Sequence, residues 1–144
     1  MSELVLKIAD ESDLPAMMEA GDALFDYPVK LDRAKEFLQD PRHHLVLAYF
    51  DEKLVGMVSA FDYVHPDKNP TLFINEASVL EDFQGRGIGR KLIKSMCEHA
   101  KSIGCNEAWV ATEKSNMAAR KAYVNAGGIE DEEDVVLIEF DLNN

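Results

Sequence analysis

The chain alternates between two rhythms of apolar and polar positions, and they divide it into elements. Leu4-Val5-Leu6-Lys7-Ile8 reads as a short strand. Asp10 to Ser12 offers a helix cap, and Leu14 to Ala23 reads as a helix with Pro15 in its first turn. Leu31 to Leu38 is a second short helix. His44 to Phe50 and Leu54 to Tyr63 are strand-like runs around the turn Asp51-Glu52-Lys53, a hairpin signature, and Leu72 to Val79 is the next strand. Ile88, Leu92, Ile93, Met96, Ala100 and Ile103 recur at helical spacing, so Gly87 to Ile103 is the clearest helix, closed by Gly104. Glu107 to Thr112 is a strand, Met117 to Ala126 a helix and Val135 to Leu142 a final strand. Helices inserted among mostly antiparallel strands make an α+β fold.

At 144 residues, 47% of them hydrophobic, the chain is long enough for one domain, residues 1–144, with a real core. No apolar run reaches the roughly 20 residues of a membrane span. The start, Met1 to Ile8, lacks the cationic and apolar regions of a signal peptide. A cytoplasmic protein without membrane partners is expected. Cys97 and Cys105 have neither metal nor redox spacing, and Cys97 fits the apolar face of its helix as core. His43, His44, His65 and His99 form no ligand pattern, so no metal is expected.

Chemistry concentrates in Gln84-Gly85-Arg86-Gly87-Ile88-Gly89. A glycine loop between a strand and a helix lets the backbone approach an oxyanion that the first helical N–H groups and the helix dipole attract. The segment is expected to hold a phosphate or pyrophosphate. No Lys-Ser or Lys-Thr pair closes it, which excludes a P-loop. Glycines at 85, 87 and 89 have the wrong last spacing for a dinucleotide fingerprint, and they come after the midpoint of the chain.

The loop does match Gln/Arg-x-x-Gly-x-Gly/Ala, the acyl-CoA loop of the GNAT acetyltransferase family, through Gln84, Gly87 and Gly89. Asn116-x-x-Ala119-x-x-x-Tyr123, followed by Gly127, resembles that family's later motif, and Asn75-Glu76-Ala77-Ser78-Val79 resembles its fourth strand. The resemblance runs from about Leu4 to Leu142 and is strongest from Phe73 to Gly127. It implies a six- or seven-stranded mixed, mostly antiparallel sheet with about four helices, splayed between the Leu72–Val79 and Glu107–Thr112 strands. It also implies acetyl-CoA as acyl donor and transfer to an amine.

The resemblance assigns roles residue by residue. Glu76 is the base that takes the ammonium proton, directly or through water, against the plainer readings of a solvated strand carboxylate or one paired with a neighbouring cation. Tyr123 is the acid for the CoA sulfur, against that of a packed aromatic. Backbone groups of Ala77, Ser78 and Val79 pair with the pantetheine arm, and an N–H at Val79 or a neighbour polarises the carbonyl. Amides of Gln84, Gly85, Arg86, Gly87, Ile88, Gly89 and Arg90 cradle the pyrophosphate. The Arg86 side chain reaches a phosphate or is a solvated loop residue. Asn116 holds the pantetheine, caps its helix, or does both. The family usually has an aromatic residue after Gly127, where this chain has Gly128.

The net charge of −12 argues against a nucleic-acid partner. Gln84 to Lys121 holds eight basic and three acidic residues, net +5, which leaves −17 for the remainder. The basic window suits a polyanion such as CoA. The acidic remainder suits a cationic amine, or only solubility. Asp22-Ala23-Leu24-Phe25-Asp26, the strands around Lys53, Glu76 and Ile138-Glu139-Phe140-Asp141-Leu142 resemble the aminoglycoside 3-N-acetyltransferases, so a small cationic amine, aminoglycoside-like or polyamine-like, is the expected acceptor. A protein or peptide N-acetyltransferase and a non-catalytic acyl-CoA sensor or interaction module are the alternatives. The acid run Glu130 to Asp134 is a solvated loop or an acceptor-facing lip. Many members dimerise through their last strands, and Val135 to Leu142 is apolar enough to make a homodimer in that way.

Overall fold

A computed structural model describes residues 2–143. Five strands form one sheet in the order β1 (Leu4–Ile8), β2 (His43–Phe50), β3 (Lys53–Tyr63), β4 (Thr71–Val79) and β5 (Glu107–Trp109). The first four are antiparallel neighbours and β5 runs parallel to β4. The helices are α1 (Leu14–Ala20), α2 (Leu31–Gln39), α3 (Ile88–Ser102) and α4 (Met117–Asn125).

Two cores follow from strand alternation. Val46, Val58, Leu72 and Ile74 face α3, where Ile88, Leu92, Ile93, Met96 and Ala100 bury the predicted stripe. Leu45, Leu47, Leu54 and Met57 face the other way, against Leu14 and Met17 of α1 and Ala34 of α2. The carboxylate of Asp13, buried at the start of α1, accepts from the Tyr49 hydroxyl at 2.7 Å and the Asp10 N–H at 2.9 Å and pairs with Lys7 at 3.0 Å. That node ties β1, β2 and α1 together.

The β2–β3 hairpin turns through Asp51 and Glu52, both with positive φ, without a glycine. Asp51 offsets that strain through two bonds to Glu3, whose N–H donates to Oδ1 at 2.8 Å and whose carbonyl accepts from the Asp51 N–H at 3.0 Å.

The ladder between β4 and β5 covers only Thr71 to Phe73, so the sheet splays where the resemblance implied. From Ile74 to Val79 the strand is paired on its β3 side alone.

Several expectations are corrected. Among the described residues the sheet has five strands rather than six or seven. Val135–Leu142 forms no strand, and its apolar side chains are exposed, Leu137 by 82%. A strand needs a partner for its backbone groups, and the three-residue β5 presents too short an edge to recruit one. The strand expected over Glu107–Thr112 stops at Trp109, and the last turn of the first helix tightens to a 3₁₀ turn at Gly21–Ala23. Cys97 lies exposed on the flank of α3, one position past the buried stripe, and Ile103 is 40% exposed.

Gly56 marks the closest approach of β3 to α3. A Cβ there would lie 3.0 Å from Leu92 Cδ1 and 3.4 Å from both Ile88 Cγ2 and the Ser78 carbonyl. Gly56→Ala is expected to destabilise the fold by about 1 kcal/mol through overpacking. The urea midpoint tests this, and an unchanged midpoint would mean that Leu92 simply swings aside.

Candidate active site

β4 carries an extra residue. Ser59 of β3 pairs with Glu76 but Ala60 pairs with Ile74, so Asn75 is a bulge without a partner. A bulge re-aims the residues beyond it. Ile74 points into the α3-side core, and strict alternation would send Glu76 there too. The bulge turns Glu76 to the opposite face, where α1 and the segment after it lie. There Glu76 Oε1 accepts the backbone N–H of Asp26 at 3.0 Å. Burial first, and then the Asp26 carboxylate, push the Glu76 carboxyl above the usual range.

Beyond Val79 a short 3₁₀ turn, Glu81–Phe83, leads into the glycine loop. The Gln84 side-chain Nε2 donates to the Val79 carbonyl at 3.0 Å and ties the loop back to the strand. Gly85 and Gly87 both have φ near +80°, which only glycine adopts cheaply, and the space beside them is open. Gly87 is the N-cap of α3 and supplies no side-chain bond to its N–H groups. The first turn contains Arg90 but no acidic residue. That arrangement opposes the helix dipole unless an anion sits there. Gly89 faces Val79 at ordinary contact distance.

Arg86 is exposed, and its side chain lies over two aromatic rings. Its guanidinium lies 4.8 Å from the Phe83 ring centre and 5.8 Å from that of Phe50, and it donates to the Asp82 carbonyl at 3.2 Å. Lys53 approaches Phe83 from the β2–β3 turn at 5.6 Å. A cationic edge therefore flanks the loop.

Ala77, Ser78 and Val79 hold the strand edge that faces the splay. Asn116 caps α4, its Oδ1 accepting the Ala119 N–H at 3.1 Å, which leaves its amide NH₂ to act as a donor. Tyr123 packs against the α3-side core, and burial raises its phenol above the usual range. The fold thus gathers Glu76 through Arg90 along one strand–loop–helix run, with Asn116 and Tyr123 on α4 across the splay. Glu76 and Tyr123 belong to opposite faces of the sheet.

The acid run turns back toward the basic window. Glu130 binds Arg120 through two bonds of 2.7 and 2.8 Å, and Asp134 pairs with Lys114 at 3.2 Å. Arg120 and Lys114 are therefore engaged within the chain.

Sequence reasoning missed three features. Asp26 entered only through a resemblance, and its contact with Glu76 spans fifty positions. His44 Nε2 lies 2.6 Å from Asp62 Oδ1, and His44 Nδ1 lies 2.9 Å from His99 Nε2, a network joining β2, β3 and α3. Burial and the neighbouring His44 lower the His99 imidazole below its ordinary value. The third is Ser59. The one available signal for it was a lone hydroxyl inside the apolar run Leu54 to Phe61.

The site geometry can be compared with known proteins. The model of the acetyltransferase (GNAT) family matches residues 8–127. The L-2,4-diaminobutyric acid acetyltransferase of Oceanobacillus iheyensis is 34% identical over 80 residues, 51% of this chain and 44% of that protein. The spermine/spermidine N(1)-acetyltransferase of Bacillus subtilis is 28% identical over 83 residues, 55% of each. The chain spans about half the length of these curated relatives. An aminoglycoside acetyltransferase from an uncultured soil metagenomic sample, solved with sisomicin, superposes at a TM-score of 0.86 and 21% identity over 97% of both chains, a likeness of fold.

Replacing Asp26 by Asn removes a charge from beside Glu76 but keeps the backbone donor. The Glu76 carboxyl is then expected to titrate at lower pH, read by carbon-13 NMR. An unmoved titration would show that burial alone sets the shift.

Proposed function

The chain belongs to the acetyltransferase (GNAT) family, and we propose that it moves an acetyl group from acetyl-CoA to a primary amine of a small cationic acceptor by direct attack. The observation that carries this reading is the run from Glu76 to Arg90. One strand brings a carboxylate to the acceptor face, leaves its own edge open at the splay, and ends in an uncapped helix start beside Arg86 and Arg90.

These residues suit the donor. The Gln84–Arg90 amides and the dipole of α3 hold the pyrophosphate, and Arg86 adds a cation pre-set by its aromatic neighbours. The open edge of Ala77, Ser78 and Val79 takes the pantetheine as an added strand, with the Asn116 amide across the splay. Acetyl-CoA supplies the activated acyl group.

Glu76 removes a proton from the ammonium, and the freed nitrogen attacks the thioester carbonyl. The C–N bond forms as the C–S bond breaks, an N–H at Val79 or a neighbour steadies the oxygen, and Tyr123 protonates the departing sulfur. A carboxyl held above its usual range favours this proton transfer at neutral pH. Asp26 beside Glu76 supplies a second negative charge for a cationic acceptor. The diaminobutyric acid and spermine/spermidine named for the relatives, and the aminoglycoside of the structural neighbour, are all small amines of this class. A cytoplasmic location accords with the unpaired thiols of Cys97 and Cys105.

The chain acts as a homodimer. Val135 to Ile138, Phe140 and Leu142 are each at least 70% exposed, and β5 has no second neighbour among the described strands. Beside β5 lies a groove of about 690 Å³ bordered by Ile93, Cys97, Ala108, Tyr123 and Gly128. The last segment of one copy covers this groove on the other.

Two measurements test the reading. CoA thiol release from acetyl-CoA is expected with at least one of spermidine, diaminobutyrate or an aminoglycoside, and more weakly with a short peptide. Acetyl-CoA binding without release in the presence of any amine would leave a sensor. Arg90→Glu is expected to stabilise the start of α3 by about 0.3–1 kcal/mol while weakening CoA binding. A gain or no change in CoA affinity would move the phosphate elsewhere.

Sedimentation tests the dimer. Leu137→Asp costs little in an exposed segment, so it is expected to give a folded monomer where the parent is dimeric. A parent that sediments as a monomer would overturn the assembly.

A further inference from the structure

Ser59 is 8% exposed, and its Oγ finds no hydrogen-bond partner among the described residues. A buried hydroxyl left in that state costs about 1–3 kcal/mol. An alanine would fit the same backbone without the cost, so the hydroxyl needs a reason.

Its place in the sheet supplies one. Leu45 of β2, Ser59 of β3 and Glu76 of β4 form one row across the sheet, on the face of α1 and α2. Side chains directly opposite in an antiparallel ladder stand about 4.5–5.5 Å apart at Cβ. Leu45 offers no polar atom, so the only polar side chain beside Ser59 in its row is the Glu76 carboxylate. The Asn75 bulge creates that pairing, for without it Ser59 would face a residue of the other register. One Glu76 oxygen is engaged by the Asp26 N–H. The Asp26 carboxyl also lies within hydrogen-bonding reach of the Glu76 carboxyl. A buried water typically bridges about three polar groups that the protein leaves unsatisfied. Ser59 Oγ, a Glu76 oxygen and the incoming amine are three groups that such a water would bridge.

We propose that Ser59 is a positioning residue whose hydroxyl holds, against the Glu76 carboxylate, the water through which the acceptor ammonium loses its proton. The inference rests on the acetyl-transfer reading. An ammonium N–H bond breaks and its proton passes to the water, while a water proton passes to the carboxylate. The nitrogen keeps the electron pair with which it attacks the carbonyl. The charged group that faces Glu76 is Asp26, from the segment after α1; His43, one row along the same face on β2, stacks on Phe37 and lies 3.7 Å from the Asp40 carboxylate.

Ser59→Ala, with Ser59→Thr as the variant that restores a hydroxyl, is compared with the parent in two measurements. In the first, turnover is followed against pH. Ser59→Ala is expected to lower kcat/KM for the amine about tenfold, the value of one hydrogen bond in a buried site, and to leave acetyl-CoA affinity unchanged. Its acidic limb moves to higher pH, because the ionised carboxylate has lost a partner, and the threonine variant moves both back. A merely structural role predicts the reverse, since deleting an orphan hydroxyl leaves stability equal or higher and kinetics untouched. In the second, the Glu76 carboxyl is titrated by carbon-13 NMR in the CoA complex, without turnover. An upward shift in Ser59→Ala supports the link between the two residues even if no amine is acetylated, an outcome that would fall on the acetyl-transfer reading alone. Active enzyme with an unmoved acidic limb and an unmoved Glu76 titration would overturn the role of Ser59.

Discussion

One inserted residue, Asn75, governs what the site can do. β4 must bury Ile74 under α3, present a carboxylate on the far face and leave its outer edge open, all within six residues. A regular strand repeats every two positions and cannot reverse a face within so short a span. The bulge changes the count once, and Glu76, Ala77, Ser78 and Val79 inherit the new phase. Val79 then returns to the α3 side, where it packs against the core and touches the start of that helix beside Gly89. The Glu76 carboxylate and the contact of Val79 with the start of α3 are therefore set by the same local irregularity, on one continuous stretch of backbone.

Electrostatics divide along the same run. The first turn of α3 carries positive ends of peptide dipoles together with Arg90, and Arg86 is held beside it by Phe83 and Phe50. A few residues earlier, Glu76 and Asp26 keep two carboxylates at close quarters at a cost to the ionisation of Glu76. Negative and positive groups thus lie within one strand–loop–helix run, the two carboxylates beside β4 and the two arginines at and just before the start of α3. Glu130 and Asp134 of the acid run pair with Arg120 and Lys114, which leaves Arg86, Arg90, Lys91, Lys94, Lys101 and Lys121 as the other cations of the basic window.

Local pattern carried most of the fold. The stripe of α3, the hairpin and the Asp10-capped turn before α1 depend on neighbours within a turn or two, so local pattern revealed them. The glycine loop before α3 was legible for the same reason, since its glycines and the helix after them are contiguous. The bulge was not, because a single extra residue in Asn75-Glu76-Ala77 breaks no run of apolar residues and shows only in the pairing with β3. Asp26, Ser59 and the network of His44, Asp62 and His99 are likewise products of pairing across the sheet. Cys97 looked like core because the helical stripe was drawn one residue too wide.

The end of the chain shows what pattern alone omits. Val135 to Leu142 has the composition of a strand, and composition expresses a fit to a half-buried surface rather than a backbone preference. That surface has to be supplied. Gly128 sits against the Tyr123 carbonyl, where a Cβ would lie only 2.9 Å away, so that position admits no side chain here. The segment therefore leaves α4 with nothing anchoring it to the core beneath, and the ion pairs of Glu130 and Asp134 hold it near α4 and the loop before it. An apolar strand sequence released in this way stays exposed until another surface covers it. The groove beside β5 is bordered by Gly127 and Gly128, just before that segment.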